Sequence, residues 1–148
     1  MQVDKLADKH AEGTPSKIFT AEDRVSGMDE YLQFRFAMGA PDKEQRFINC
    51  VSEVAARTKS SHPTIFAWHG SPIGNWQSII REGLHFNDTS HGRAYGHGVY
   101  MSPHATTSLS YSGMHHYSGG GGGAAAWPNS ELKINAAISL NEASYPVL

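Results

Sequence analysis

A chain of 148 residues, 39% of them apolar, holds one domain's worth of core or part of one. Twelve basic against 14 acidic side chains leave a formal charge of −2 with no run of lysine or arginine, so nucleic acid is not an expected partner. No apolar stretch approaches the ~20 residues that cross a bilayer, and no membrane partner is expected.

The opening Met1-Gln2-Val3-Asp4-Lys5 is too polar to read as a signal peptide. Cys50 is the single cysteine, so no intramolecular disulfide can form, and a reducing intracellular setting, nucleus or cytoplasm, is expected. Residues 1–20 are polar and aperiodic, the composition of a disordered tail, and the folded domain is expected over 21–148. Met28 to Phe36, with Tyr31, Leu32, Phe34 and Phe36, is compatible with a short helix or with a strand.

Gly39 and Pro41 then punctuate the chain, and a helix is predicted from about Asp42 to Thr58. Pro41 suits its first position, Asp42 and Glu44 suit the positive end of its dipole, and Phe47, Val51, Val54 and Ala55 form one stripe. Cys50 lies beside Phe47 and Val51 or Val54 and reads as a small buried hydrophobe. Thr64 to Trp68 is β-prone and short, a buried strand. Asn75 is placed as the N-cap of a helix with Trp76, Ile79 and Ile80 on its inner face and Gly83 as its C′ residue.

A polar loop from His85 to Tyr95 leads to a predicted strand, Gly98–Met101. Ser102 and Pro103, as N-cap and first helical residue, open a further helix that carries Ser108 and Tyr111. Ser118, five glycines and three alanines form a low-complexity insert over 118–126, which reads as a flexible surface loop because no P-loop lysine accompanies it. Glu131 to Leu140 alternates Leu132, Ile134, Ala136 and Ile138 against Lys133, Asn135 and Ala137, a half-buried strand. Strands and helices mix without βαβ regularity, so the fold class is α+β.

The chemistry concentrates in the middle. His69 closes the apolar run Ile65-Phe66-Ala67-Trp68, and Gly70 follows, whose missing Cβ lets a ligand lie against its backbone. Gly96 and Gly98 flank the approach to Tyr100, and Ser108 and Tyr111 stand three apart on one helical face. Singly, each has a structural explanation: His69 a satisfied core residue, Tyr100 a strand aromatic, Ser108 a helix-surface hydroxyl, Tyr111 a core residue. Nine histidines raise zinc as a possibility, but His115 and His116 are adjacent, His91, His97 and His104 lack an i, i+4 pair, and no H-E-x-x-H occurs. No metal is expected.

Four segments, His69-Gly70-Ser71, Asn75 to Leu84, Tyr95 to Ser102 and Ser108 to Ser112, in this order and spacing, resemble the NAD-binding signature of the poly(ADP-ribose) polymerase family, the diphtheria-toxin-like ADP-ribosyltransferases. The resemblance covers the middle of the chain and fades toward both termini. It implies an ADP-ribosyltransferase-like α+β fold of split antiparallel sheets with flanking helices. It also implies NAD as the donor, a protein acceptor and release of nicotinamide.

Carried over residue by residue, His69 would bond the ribose of the adenosine half, and the Gly70 backbone would pair with the nicotinamide carboxamide. Ser71 completes that motif. Ser108 would place its hydroxyl on the carboxamide oxygen, Tyr111 would stack on the nicotinamide ring, and Tyr100 would close the nicotinamide–ribose side. His69 and Tyr100 are the catalytic candidates. Arg93 could reach the pyrophosphate, and Tyr95 and His97 could line the pocket, although surface-loop roles suit all three. The family's third motif lies on a strand beyond the segment resembling Glu131–Glu142, so a domain incomplete at its C-terminus is expected, with Glu142 a poor substitute for the missing carboxylate. The alternative reading is an inactive NAD-binding or interaction module.

Overall fold

The computed structural model describes residues 3–5, 24–36, 39–85, 96, 98–113, 129, 131 and 134–145. In chain order these form β1 (Val3–Lys5), β2 (Phe34–Phe36), α1 (Pro41–Thr58), β3 (Thr64–Ser71), a single 3-10 turn (Ile73–Asn75), α2 (Trp76–Glu82), α3 (Ala105–Tyr111) and β4 (Ala137–Ser144). The class is α+β, and the chain divides into two units, Met1–Asn49 and Cys50–Leu148. The insert at 118–126 and most of the loop before Gly96, with Arg93, Tyr95 and also His97, lie outside the described residues.

In the first unit, β1 and β2 pair antiparallel, Val3 opposite Phe36 and Lys5 opposite Phe34. Val3–Lys5 therefore takes strand conformation within the segment read as a tail, while residues 6–20 lie outside the described residues. Met28 to Phe36 resolves into turns followed by the short strand. The reason is Gln33: its Oε1 accepts from the Val25 N–H at 2.9 Å and its Nε2 donates to the Met28 carbonyl at 2.8 Å. An amide side chain thus does for the turn what a backbone ladder would do for a helix or strand.

Helix α1 begins at Pro41, one residue before the predicted start. Glu44 reaches back to accept the Gly39 N–H at 3.0 Å, and the Arg46–Asp42 pair at 3.2 Å is well exposed, so the cap matters more than the ion pair. The predicted stripe holds, with Val54 fully buried and Phe47, Val51 and Ala55 half-buried. Cys50 departs from expectation. It is exposed, its Sγ 3.1 Å from the Ser144 Oγ, because it sits about 60° round the helix from Phe47, on the flank of the stripe.

The second unit is built on the antiparallel pair of β3 and β4, in register from Thr64 opposite Ser144 to Ser71 opposite Ala137. β3 runs three residues past Trp68, so His69, Gly70 and Ser71 are strand residues. β4 corrects the predicted Glu131–Leu140 strand: it starts at Ala137 and continues to Ser144. Apolar alternation stops at Leu140, but pairing continues to Ser144 because the polar side chains are satisfied locally. Asn141 Nδ2 donates to the Ala67 carbonyl at 3.4 Å and to the Ser139 carbonyl and hydroxyl at 3.1 and 2.9 Å.

Two further expectations fail for one reason. Gly98–Met101 is not a strand, and Ser102 does not cap a helix. Instead Ser102 exchanges two backbone hydrogen bonds with Trp68, of 2.7 and 2.9 Å, forming an isolated bridge on the outer edge of β3. α3 consequently starts later, after an extended His104 whose N–H donates to the Ser102 Oγ. Asn75 precedes α2 as predicted, but its backbone is already helical and its amide donates to the Ser71 Oγ, so it does not cap by its side chain. Gly83, at φ 88°, ends α2 as expected.

Among the described residues the buried apolar side chains are Val54, Ala67 and Trp76. With Val54 1% exposed, Val54→Ala is expected to cost about 2 kcal/mol through two lost methyl groups and a residual cavity. Ile48→Ala, at a position 54% exposed on the same helix, is expected to stay within about 0.5 kcal/mol of the parent. Urea-unfolding midpoints check the pair, and equal losses would contradict the burial assignment.

Candidate functional site

Along an antiparallel strand, each residue aims its N–H and C=O to one edge and the next residue aims them to the other. Trp68 gives both groups to Ser102, away from β4. Gly70, two residues on, therefore directs its own N–H and C=O to that same outer edge, beyond the single bridge. No partner for either group is found among the described residues. One donor and one acceptor thus stand side by side on an open strand edge.

The other side of Gly70 is filled. A Cβ there would collide with the backbone carbonyl of Ser108, and the Ser108 Cα lies 3.2 Å from the same point. The space left by the missing side chain admits the backbone of α3. The Gly70 N–H and C=O lie along the edge, away from this contact. Ser108 is 3% exposed and its hydroxyl donates to the Trp68 carbonyl at 2.9 Å. That carbonyl also accepts the Ser102 N–H, so both of its lone pairs are used. With its proton spent on Trp68, the Ser108 hydroxyl faces any further group as an acceptor.

Tyr111 lies three residues on, at the end of α3, with its side chain 69% exposed. It is not a core residue. Tyr100 is also exposed, and its phenol donates to the Gly96 carbonyl at 2.7 Å. Gly96 has φ 97°, a conformation side chains resist, so this turn suits glycine.

His69 and Tyr100 are joined. The imidazole Nδ1 lies 3.0 Å from the Tyr100 carbonyl oxygen. The Trp76 ring lies beside the imidazole, centroids 6.4 Å apart and planes tilted by 58°. Trp76 in turn donates its Nε1–H to the Ser71 carbonyl at 2.9 Å, and Asn75 donates to the Ser71 hydroxyl at 2.9 Å. Ser71, buried, is thus occupied by internal contacts. Sequence reasoning placed Trp76 on an inner helix face and missed that it touches His69. The signal was the short interval between Ser71 and the Asn75-Trp76 pair. Among the described residues no three His, Cys, Asp or Glu side chains group as a metal site would require.

Compared with known proteins, the model of the poly(ADP-ribose) polymerase catalytic domain matches residues 30–121, a span that contains His69, Gly70, Ser71, Tyr100, Ser108 and Tyr111. The chain is similar to the protein mono-ADP-ribosyltransferase PARP8 of Homo sapiens and of Mus musculus, 38% identical over 86 residues, covering 55% of this chain and 9% of either relative. It is 30% identical over 108 residues to the protein mono-ADP-ribosyltransferase PARP16 of Homo sapiens, covering 66% of this chain and 32% of that protein. The chain thus spans a minor part of the length of these relatives. No solved structure matches it.

Gly70→Ala is expected to destabilise the second unit by about 1–3 kcal/mol, because a methyl group must displace helix backbone. Gly74→Ala, where an added Cβ meets nothing within 4 Å, is expected to be near neutral. Thermal melts of both variants check this, and a neutral Gly70→Ala would refute the close approach of α3.

Proposed function

The chain belongs to the poly(ADP-ribose) polymerase catalytic-domain family, and from that premise we propose that it is the NAD-binding part of a protein ADP-ribosyltransferase. The observation that carries the reading is the open edge at Gly70, whose N–H and C=O match the acceptor and donor of a carboxamide. The exposed Tyr111 ring, on the helix packed against that glycine, offers a face for offset stacking of a pyridinium. His69 and Tyr100 serve the ribose side. The transfer is of single ADP-ribose units to proteins, in keeping with the names of PARP8 and PARP16.

The reaction breaks the bond between nicotinamide nitrogen and the ribose C1′. The electron pair stays on the ring, which leaves neutral, and the acceptor nucleophile supplies the new pair to C1′ while losing a proton. Oxocarbenium character develops on the ribose in between. Gripping the carboxamide and stacking the ring orient the leaving group, so this chain's contribution is chiefly positioning.

A second reading, a module that holds NAD without turning it over, is favoured by Glu142. The β3–β4 register sets Glu142 opposite Phe66, three pairs from His69, and its carboxylate accepts the Thr64 hydroxyl at 2.7 Å. Labelled NAD distinguishes the two readings. Label transferred to protein supports the enzyme, whereas bound but intact NAD supports the module.

Both readings predict that benzamide, a nicotinamide mimic, raises Tm, by an amount equivalent to about 2.7 kcal/mol at a hundredfold excess over Kd. His69→Ala should weaken carba-NAD, a non-hydrolysable NAD analogue, and leave benzamide unchanged. Tyr111→Ala should weaken both, by about two- to tenfold if ring stacking is the term lost. Calorimetric titration checks the ranking, and the reverse order would overturn these roles.

A further inference from the structure

We propose that Trp76 is a positioning residue that holds His69 in a single tautomer, Nδ1–H, so that Nε2 is presented as a bare hydrogen-bond acceptor for a ligand hydroxyl. A carbonyl oxygen has no proton to give, so the 3.0 Å contact between Nδ1 and the Tyr100 carbonyl requires the hydrogen on Nδ1. In the neutral ring the other nitrogen then carries a lone pair. No partner for Nε2 is found among the described residues.

One hydrogen bond does not lock an imidazole. The terminal torsion is broad and roughly two-fold, and a ring flip exchanges Nδ1 with a carbon at a cost comparable to one net hydrogen bond, about 0.5–1.5 kcal/mol if it is lost. Trp76 adds the missing constraint. Its indole is 6% exposed, lies against the imidazole, and is anchored by its own Nε1–H to the Ser71 carbonyl, two residues along the same strand. Tyr100 carbonyl, His69, Trp76 and Ser71 thus form a chain that returns to β3. Both ends of it are backbone carbonyls, so neither end can rotate away.

The ligand this suits is one that donates a hydroxyl, such as a ribose diol, and its identification as NAD rests on the function proposed above. The tautomer itself is read without ligand. In a long-range nitrogen–proton correlation spectrum at a pH where the ring is neutral, Nδ1 of His69 is expected to appear protonated and Nε2 bare. A protonated Nε2, or averaged signals from both forms, would overturn the proposal.

Trp76→Phe keeps an aromatic ring but removes the anchor. It is expected to give averaged tautomer signals and to weaken carba-NAD about three- to tenfold, the worth of one net hydrogen bond, with benzamide binding unchanged. Equal weakening of both ligands, or a retained single tautomer in Trp76→Phe, would make the tryptophan merely structural and sink the idea. If the wild-type chain binds neither ligand, the functional reading fails, while the two spectra still decide the positioning claim.

Discussion

The organisation of the second unit depends on one close contact, the backbone of α3 against the Cα of Gly70. Helix and strand can approach this closely only where one partner lacks a side chain, and Gly70 provides that gap. The approach lets the buried Ser108 hydroxyl reach the Trp68 carbonyl across 40 residues of sequence. The same edge of β3 holds Ser102, so strand, bridge and helix are tied within three consecutive strand residues. A substitution at Gly70 would therefore disturb shape and chemistry together, which makes its two consequences hard to separate by activity alone.

From that contact the remaining site follows by geometry. Pairing with β4 occupies one edge of β3, Ser102 occupies the other at Trp68, and the Gly70 edge has no partner among the described residues. Ser108, packed against Gly70, and Tyr111 share α3 and lie three residues apart. On the opposite side of the strand residue sequence, His69 meets Tyr100 and Trp76, and Ser71 receives Trp76 and Asn75. Adjacent residues of one strand therefore divide the work: Gly70 offers backbone groups, while His69 and Ser71 hold a polar chain that orients an imidazole. Such a chain fixes the ring through its Nδ1 contact and the anchored indole, and leaves Nε2 as the atom that meets a ligand.

Much of this was legible from residue order. The stripe Phe47, Val51, Val54 and Ala55 placed α1, the β-prone run from Thr64 placed β3, and Gly83 placed the end of α2. The family likeness rested on four spaced segments, and the matched span covers all of them. What misled was local pattern without its partner. The alternation in Glu131–Leu140 was a sound strand signal, but the register that sets strand ends is a property of two segments. Ser102-Pro103 carried a good capping signal, yet Ser102 was claimed by β3 first. Cys50 sat near an apolar stripe, and only packing could say that it lies on the flank.

By itself the sequence determined the α+β class, the helical stripe, and the membership that follows from motif order, because these depend on periodicity and spacing along one chain. Tertiary structure decided the rest. It decided that the side-chain space at Gly70 is taken by a helix, that Ser108 spends its proton on Trp68, and that Trp76 stands against His69. Those are contacts between residues distant or differently oriented in sequence, and a hydrogen bond exists only where two groups are brought within about 3 Å at the right angle.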